Sequence, residues 1–182
     1  MKSFAARSVE RYSPFFKYKK TAKVLDYGAG KLRNSLFLAK AGYSVYAADL
    51  PEQVRWIRSC NDSESLSGII DADHLSVSRL GADLVVSTYV FNIISDVREK
   101  SRYLANIVRN LRPEGYLLIE VRCRKRAADC SVSCSHFQKD SGCTKSYSHE
   151  ELDDLLKPRG FVRICHYYRR NALAVVYQLM NS

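Results

Sequence analysis

The sequence predicts an α/β fold, a single doubly wound domain whose mostly parallel, seven-stranded sheet ends in an antiparallel hairpin. Three observations carry this expectation. Strand and helix patterns alternate from residue 22 to about residue 122, and such alternation builds a parallel sheet with helices on both faces. A Gly-x-Gly, Gly28-Ala29-Gly30, stands between the first strand pattern and the first helix pattern. Near the end, two apolar runs flank Arg169-Arg170-Asn171, the signature of a closing hairpin.

Residues 22–27 read as the first strand, centred on Val24 and Leu25. Residues 32–41 read as a helix, with Leu32, Leu36 and Ala39 near one face. A second strand at 44–48 ends at Asp49. Pro51 then opens a short helix, where its missing N–H does no harm. Residues 66–70 form a third strand ending at Asp71, and 82–88 a fourth around Leu84-Val85-Val86. Asp96 and Glu99 have capping-box spacing, and Leu104, Ile107, Val108 and Leu111 continue the helix they open. Pro113-Glu114-Gly115 ends it before a fifth strand at 116–121. Ser148 and Glu151 form a second capping box, whose helix stops near Pro158. Residues 161–168 and 172–179 make the hairpin. Residues 1–21 form a basic, aromatic extension, and 122–147 a polar, cysteine-rich insertion.

The chain has 182 residues, a length that suits one domain with one core. Its 46% hydrophobic and 26% charged residues exclude a disordered chain. No apolar run approaches the roughly 18 residues that cross a membrane. The first twenty residues hold no apolar core of a secretory signal, so the expected compartment is the cytoplasm. The net charge of +10 makes a polyanion a natural partner.

A ligand of a parallel sheet lies outside the carboxyl ends of its strands. Glycine at that edge lets the backbone turn tightly and approach a ligand closely. Three consecutive strand units also end in acids, Asp26, Asp49 and Asp71. Asp49 stands 19 residues after Gly30, where a carboxylate can accept from both ribose hydroxyls. A dinucleotide fingerprint would place glycine at position 33, where this chain has Arg33. It would require neither Asp26 nor Asp71.

The stretch Val24-Leu25-Asp26-Tyr27-Gly28-Ala29-Gly30 resembles the first motif of class I, Rossmann-like S-adenosylmethionine-dependent methyltransferases. Asp49 with Leu50 matches the ribose-binding position. The run from Ile70 to Leu75 resembles the adenine-side motif, in which the acid matching Asp71 accepts from the adenine amino group and the backbone at Ala72 meets the ring. Asp83-Leu84-Val85-Val86-Ser87-Thr88, Leu111-Arg112-Pro113-Glu114-Gly115-Tyr116 and residues 148–161 resemble later segments of the same family. The resemblance covers roughly residues 22–179. It implies S-adenosylmethionine as cofactor and places Asp26, Gly28 and Gly30 at its methionine end, with Thr88 and Tyr89 bordering the methyl group. One departure is Leu32, where a third small residue is usual; Lys31 and Arg33 make the loop basic.

Methyl transfer needs alignment more than a dedicated base. Tyr89 and Asn92, after the fourth strand, are the candidates for contact with substrate, against a core aromatic and a capping asparagine. Ser87-Thr88-Tyr89-Val90 replaces the Asn/Asp-Pro-Pro-Tyr/Phe of base-amino methyltransferases, and a Pro-Cys nucleophile is absent. The run Tyr89 to Ile94, with Phe137-Gln138, Thr144 and Tyr147, resembles small bacterial and phage methyltransferases. Basic clusters lie at Lys17, Lys19 and Lys20, at Arg122, Arg124, Lys125 and Arg126, and at Arg169 and Arg170. The second follows the fifth strand and is placed to meet phosphates of a nucleic-acid substrate.

Cys123, Cys130, Cys134 and Cys143, with His136, are residue types that bind zinc, but they lack the paired Cys-x-x-Cys spacing that marks such a site; no metal is assigned, and zinc stays an open alternative for this set. Cys60 and Cys165 are expected as buried thiols, His74 and His149 on helix surfaces, and His166 in a strand. The sequence leaves two alternatives beside the enzyme: a cofactor-binding protein without turnover, and a basic nucleic-acid-binding module with a vestigial pocket. It names no substrate, methylated atom or oligomeric state.

Overall fold

Apolar residues alternate along the strands so that both faces of one sheet are covered. The computed structural model describes residues 4–123 and 145–180. Among these, strands β1 (Lys23–Tyr27), β2 (Ser44–Asp49), β3 (Gly68–Asp71), β4 (Ala82–Thr88), β5 (Leu111–Arg122), β6 (Phe161–Arg169) and β7 (Ala172–Leu179) form a single sheet. Its order is β3-β2-β1-β4-β5-β7-β6. The first five run parallel, and β7 inserts antiparallel between β5 and β6. Leu25, Val85, Leu117, Ile119 and Val175 bury on one face; Val24, Leu84, Val86, Leu118 and Val176 bury on the other. That period of two is what a doubly covered sheet requires.

On the first face lie α4 (Val97–Asn110) and α5 (His149–Leu156), which bring Leu104, Ile107, Leu152 and Leu156 into the core. Asp96 accepts the Glu99 amide at 2.8 Å, and Ser148 and Glu151 form the reciprocal capping box, so both sequence signals describe real helix starts. The second face is covered by α2 (Arg33–Lys40) and by α1 (Arg7–Tyr18). α3 (Pro51–Arg58) closes the edge near β2 and β3.

Two elements and the burial of the cysteines differ from the sequence expectation. The basic N-terminal segment folds as α1, burying Val9 and Phe16 against Val24, Tyr116 and Leu118. Pro14 lies inside that helix, and interior proline normally breaks one; the packing of its apolar side outweighs the lost bond. β5 begins at Leu111 rather than 116, because Leu111 already pairs with Ala82 before a register shift. Cys60 and Cys165 are only half-buried, whereas Cys123 is buried. No helix among the described residues is long and apolar enough to cross a membrane.

Candidate functional site

The order of the strands reverses at β1, which pairs β2 on one side and β4 on the other. The loops leaving β1 and β4 therefore diverge and leave a crevice at the carboxyl edge. A cleft of about 610 Å³ opens there, lined on one side by Gly28, Gly30, Asp49, Leu50 and Ala72 and on the other by Thr88, Tyr89, Val90 and Ile93. That volume suits a cofactor-sized molecule. Arg33, Asn34, Asp73, Glu99, Arg102 and Tyr103 complete much of the wall.

Gly28 has φ +93°, and a Cβ there would lie 2.1 Å from Val90 Cγ2. Only glycine combines that dihedral with that approach. Gly30 has φ +50° and open space where a Cβ would project. The departure at Leu32 is also resolved. Leu32 takes φ +61° at the helix N-cap, a conformation that costs a non-glycine residue about 1–2 kcal/mol. Its side chain is buried with Ala29, Ala47 and Ile57, and full burial of a leucine returns about 1.5–3 kcal/mol.

The loop amides have internal partners. Gly28 and Ala29 donate to the Ala48 carbonyl at 2.8 and 3.1 Å, and Leu32 donates to the Ala29 carbonyl at 2.8 Å. The Gly30 amide donates to Asp49 Oδ2 at 2.7 Å, and Gln53 Nε2 donates to the Gly30 carbonyl at 2.7 Å. A pyrophosphate-binding loop needs such amides turned toward the ligand. Here the amides of residues 28–30 and 32 are spent on the protein, so what the cleft offers is shape, apolar wall, the Asp49 carboxylate and the side chains of Lys31, Arg33 and Arg102.

Two of the three strand-end acids do not reach the cleft surface. Asp26 is fully buried; Ser35 Oγ donates to its Oδ2 at 2.6 Å, and its Oδ1 has no partner. Burial pushes this carboxyl up to about 6, with the Ser35 hydrogen bond pulling down and Asp49 adding to the rise. Asp71 accepts the Asp73 amide at 3.2 Å and caps the 3₁₀ turn Ala72–Ser76, leaving Ala72 and Asp73 on the cleft wall. The strand-end pattern thus located the edge, but side-chain direction splits its members between ligand side and support. Asn92 is likewise buried behind the wall, with its Oδ1 unpartnered.

Tyr89 is on the wall, at φ +59°. Its hydroxyl donates to Glu120 Oε1 at 2.6 Å, and its phenol is raised by burial and then by Glu120. The Ser8 hydroxyl of α1 donates to the other oxygen of the buried Glu120. Asn34 Nδ2 donates to Thr88 Oγ1 at 2.8 Å while its Oδ1 accepts the Ala6 amide at 2.8 Å. The first turn of α1 therefore braces Thr88 and Tyr89 together. Sequence reasoning missed Ser8, Asn34 and Glu120, because each acts through a partner distant in sequence.

Cys130, Cys134, Cys143 and His136, and Arg124, Lys125 and Arg126, lie outside the described residues. Among the described residues no cluster of metal-binding side chains occurs. His149 and His166 stack with ring centroids 4.0 Å apart on the α5–β6 face, and His74 lies in the 3₁₀ turn.

A family model described as a methyltransferase domain matches residues 1–166. The chain belongs to that methyltransferase family. It is also 30% identical over 133 residues to hemagglutinin 1 of Eikenella corrodens, covering 71% of this chain; the chain spans 44% of that relative's length. Among solved structures, a 1,6-didemethyltoxoflavin-N1-methyltransferase of Burkholderia thailandensis, with its substrate and S-adenosylhomocysteine bound, aligns with a TM-score of 0.67 at 17% identity, over 96% of this chain and 79% of its own. An S-adenosylmethionine-dependent methyltransferase of Methanosarcina mazei aligns with a TM-score of 0.69 at 19% identity, over 89% and 94%. These likenesses show the fold.

Proposed function

We propose that this chain transfers a methyl group from S-adenosylmethionine, held by Gly28, Gly30, Asp49, Leu50 and Ala72, to an acceptor that enters beside Thr88 and Tyr89. The observation that carries this is the consumption of the loop amides of residues 28–30 and 32 within the protein. A loop so closed suits a nucleoside ligand without phosphates. It also separates this cleft from a dinucleotide site of similar strand–loop–helix form.

The residues fit the group. Asp49 uses one lone pair on each oxygen, accepting from Gly30 and Leu50, and a carboxylate has further acceptor sites for a ribose diol. Leu50 and Ile93 are 65% and 59% exposed on the cleft wall, apolar surface that an adenine and a thioether side chain would cover. Ala72 leaves room at the adenine side, and Asp73 takes the wall position that the sequence pattern gave to Asp71. When bound, the cofactor supplies an electrophilic methyl on a sulfonium. The chain's part is alignment: Thr88 and Tyr89 are fixed by Asn34 and Glu120, so the acceptor meets a rigid border.

Calorimetry with S-adenosylhomocysteine and, separately, NAD tests the reading. S-adenosylhomocysteine binds and NAD does not; the reverse order of affinities overturns the assignment. Incubation with methyl-labelled S-adenosylmethionine and fractionated cell extract then separates an enzyme, which transfers label, from a protein that binds without turnover.

A further inference from the structure

The strand ends beside Tyr89 carry arginines from three elements. Arg122 ends β5 and Arg169 ends β6, and both pair in register with Ala172 of the strand between them. Cross-strand partners share a face, and two strand spacings are about 10 Å. One residue pair inward, Glu120 and Tyr167 stand opposite Ala174 in the same way. This is the face covered by α1, whose Tyr12 ring lies 5.9 Å from that of Tyr167. The Arg11 guanidinium sits 4.7 Å over the Tyr167 ring, and Arg122 sits 5.5 Å over the Tyr89 ring. Arg7 is one turn from Arg11 on α1, and Arg170 forms the hairpin turn.

All five arginines are exposed, and none takes part in a salt bridge among the described residues. Glu120, between the two strand-end arginines and α1, is buried and already accepts from Ser8 and Tyr89, and Glu10 of α1 forms no salt bridge among the described residues. Burial raises the Tyr167 phenol, and Glu120 adds to this, while Arg11, Arg169 and Arg7 act in the opposite sense; the positive charges converge on one spot. Five guanidinium groups without a salt bridge among the described residues, interleaved with Tyr89 and Tyr167, extend beyond the reach of one small anion. Guanidinium forks match phosphate oxygens, and aromatic rings at such a surface stack bases.

We propose that the methyl acceptor is a single strand of nucleic acid, its phosphates laid along Arg7, Arg11, Arg122, Arg169 and Arg170 and the reacting nucleotide turned into the cleft beside Tyr89. A base inside a duplex could not reach the cleft floor without leaving its stack. The proposal rests on the methyltransferase reading of the cleft.

The test uses the full chain and a labelled mixed-sequence RNA and DNA oligonucleotide series, bound across a salt range. With four phosphates engaged, the log–log slope is about −2.8, so affinity falls roughly 50-fold between about 50 and 200 mM salt. The variant Arg7→Ala/Arg11→Ala binds more weakly and flattens the slope by about 1.4. Arg79→Ala/Arg109→Ala, on a basic groove at another part of the surface, leaves binding within twofold. Equal losses from both variants, or equal binding of polyglutamate, overturn the proposal by reducing it to net charge. S-adenosylhomocysteine affinity, measured on the same preparations, is unchanged in both variants. If S-adenosylhomocysteine fails to bind the parent chain, the methyltransferase reading of the cleft fails. If it binds but the oligonucleotides do not, the nucleic-acid proposal alone falls.

Discussion

The carboxylate of Asp49 closes the glycine loop, with Oδ2 accepting the Gly30 amide at 2.7 Å and Oδ1 accepting the Leu50 amide at 2.8 Å. One side chain thereby fixes the loops after β1 and β2 relative to each other and still faces the cleft. Asp49→Ala is expected to weaken S-adenosylhomocysteine binding by about 1–3 kcal/mol, the scale of a lost hydrogen bond to a charged group. Asp49→Asn keeps one acceptor for the loop and is expected to lose less. Calorimetry on both variants checks the order, and an Asp49→Ala affinity equal to the parent contradicts the ribose assignment.

Gly28 and Val90 make a second pair. A Cβ at Gly28 meets Val90 Cγ2 at 2.1 Å, and the backbone sits at φ +93°. Gly28→Ala therefore carries a clash and a dihedral penalty, and about 2–4 kcal/mol of stability is expected to be lost. Adding Val90→Ala removes the clash but not the dihedral. The double variant should recover part of the stability, with a coupling energy above about 0.5 kcal/mol. Additive losses in chemical denaturation would show that the contact with Val90 is not what excludes a side chain.

Much of this arrangement was legible in the sequence for a physical reason: strand periodicity and turn chemistry are local. The capping residues Asp96 and Ser148, the Gly28-Ala29-Gly30 turn and the alternation of the strands each follow from a few neighbouring positions, and the structure repeats them. Side-chain direction at a strand end is not local. Asp26, Asp49 and Asp71 look alike in sequence, yet burial beneath α2 turns Asp26 to Ser35, and the start of a 3₁₀ turn commits Asp71 to a backbone amide. α1 was hidden by Pro14, and its apolar stripe gains meaning only against Tyr116 and Leu118 of the sheet.

Asp26 gives a pH-dependent prediction. Burial raises its folded-state pKa to about 6, above the value near 4 of an unfolded chain. The folded protein then binds the proton more tightly than the unfolded one. The stabilisation is fully present below about pH 4 and is lost as pH rises through about 6. A shift of this size corresponds to about 3 kcal/mol between the two limits. Urea unfolding at intervals from pH 4 to 7.5 should show that decline, and Asp26→Asn, which can still accept from Ser35, should flatten it. A variant curve parallel to the parent's would assign the decline to other groups.

Ser8 and Glu120 stand 112 residues apart, and the Ser8 hydroxyl donates to the carboxylate whose other oxygen holds Tyr89. Glu120 is buried, so removing one donor leaves a charged acceptor short of a partner at a cost of about 1.5–3 kcal/mol. Ser8→Ala should lower stability by that amount. In a Glu120→Gln background the charge is gone, and the same Ser8→Ala change should cost about 1 kcal/mol or less. The difference is the coupling, read from a thermal-unfolding cycle of the four proteins. Because the Tyr89 amide donates to the Glu120 carbonyl at 2.8 Å, hydrogen exchange at that amide should quicken in Ser8→Ala if α1 braces the cleft through Glu120. Unchanged exchange together with an additive cycle would mean that α1 merely covers the sheet and leaves the border of the cleft to hold itself.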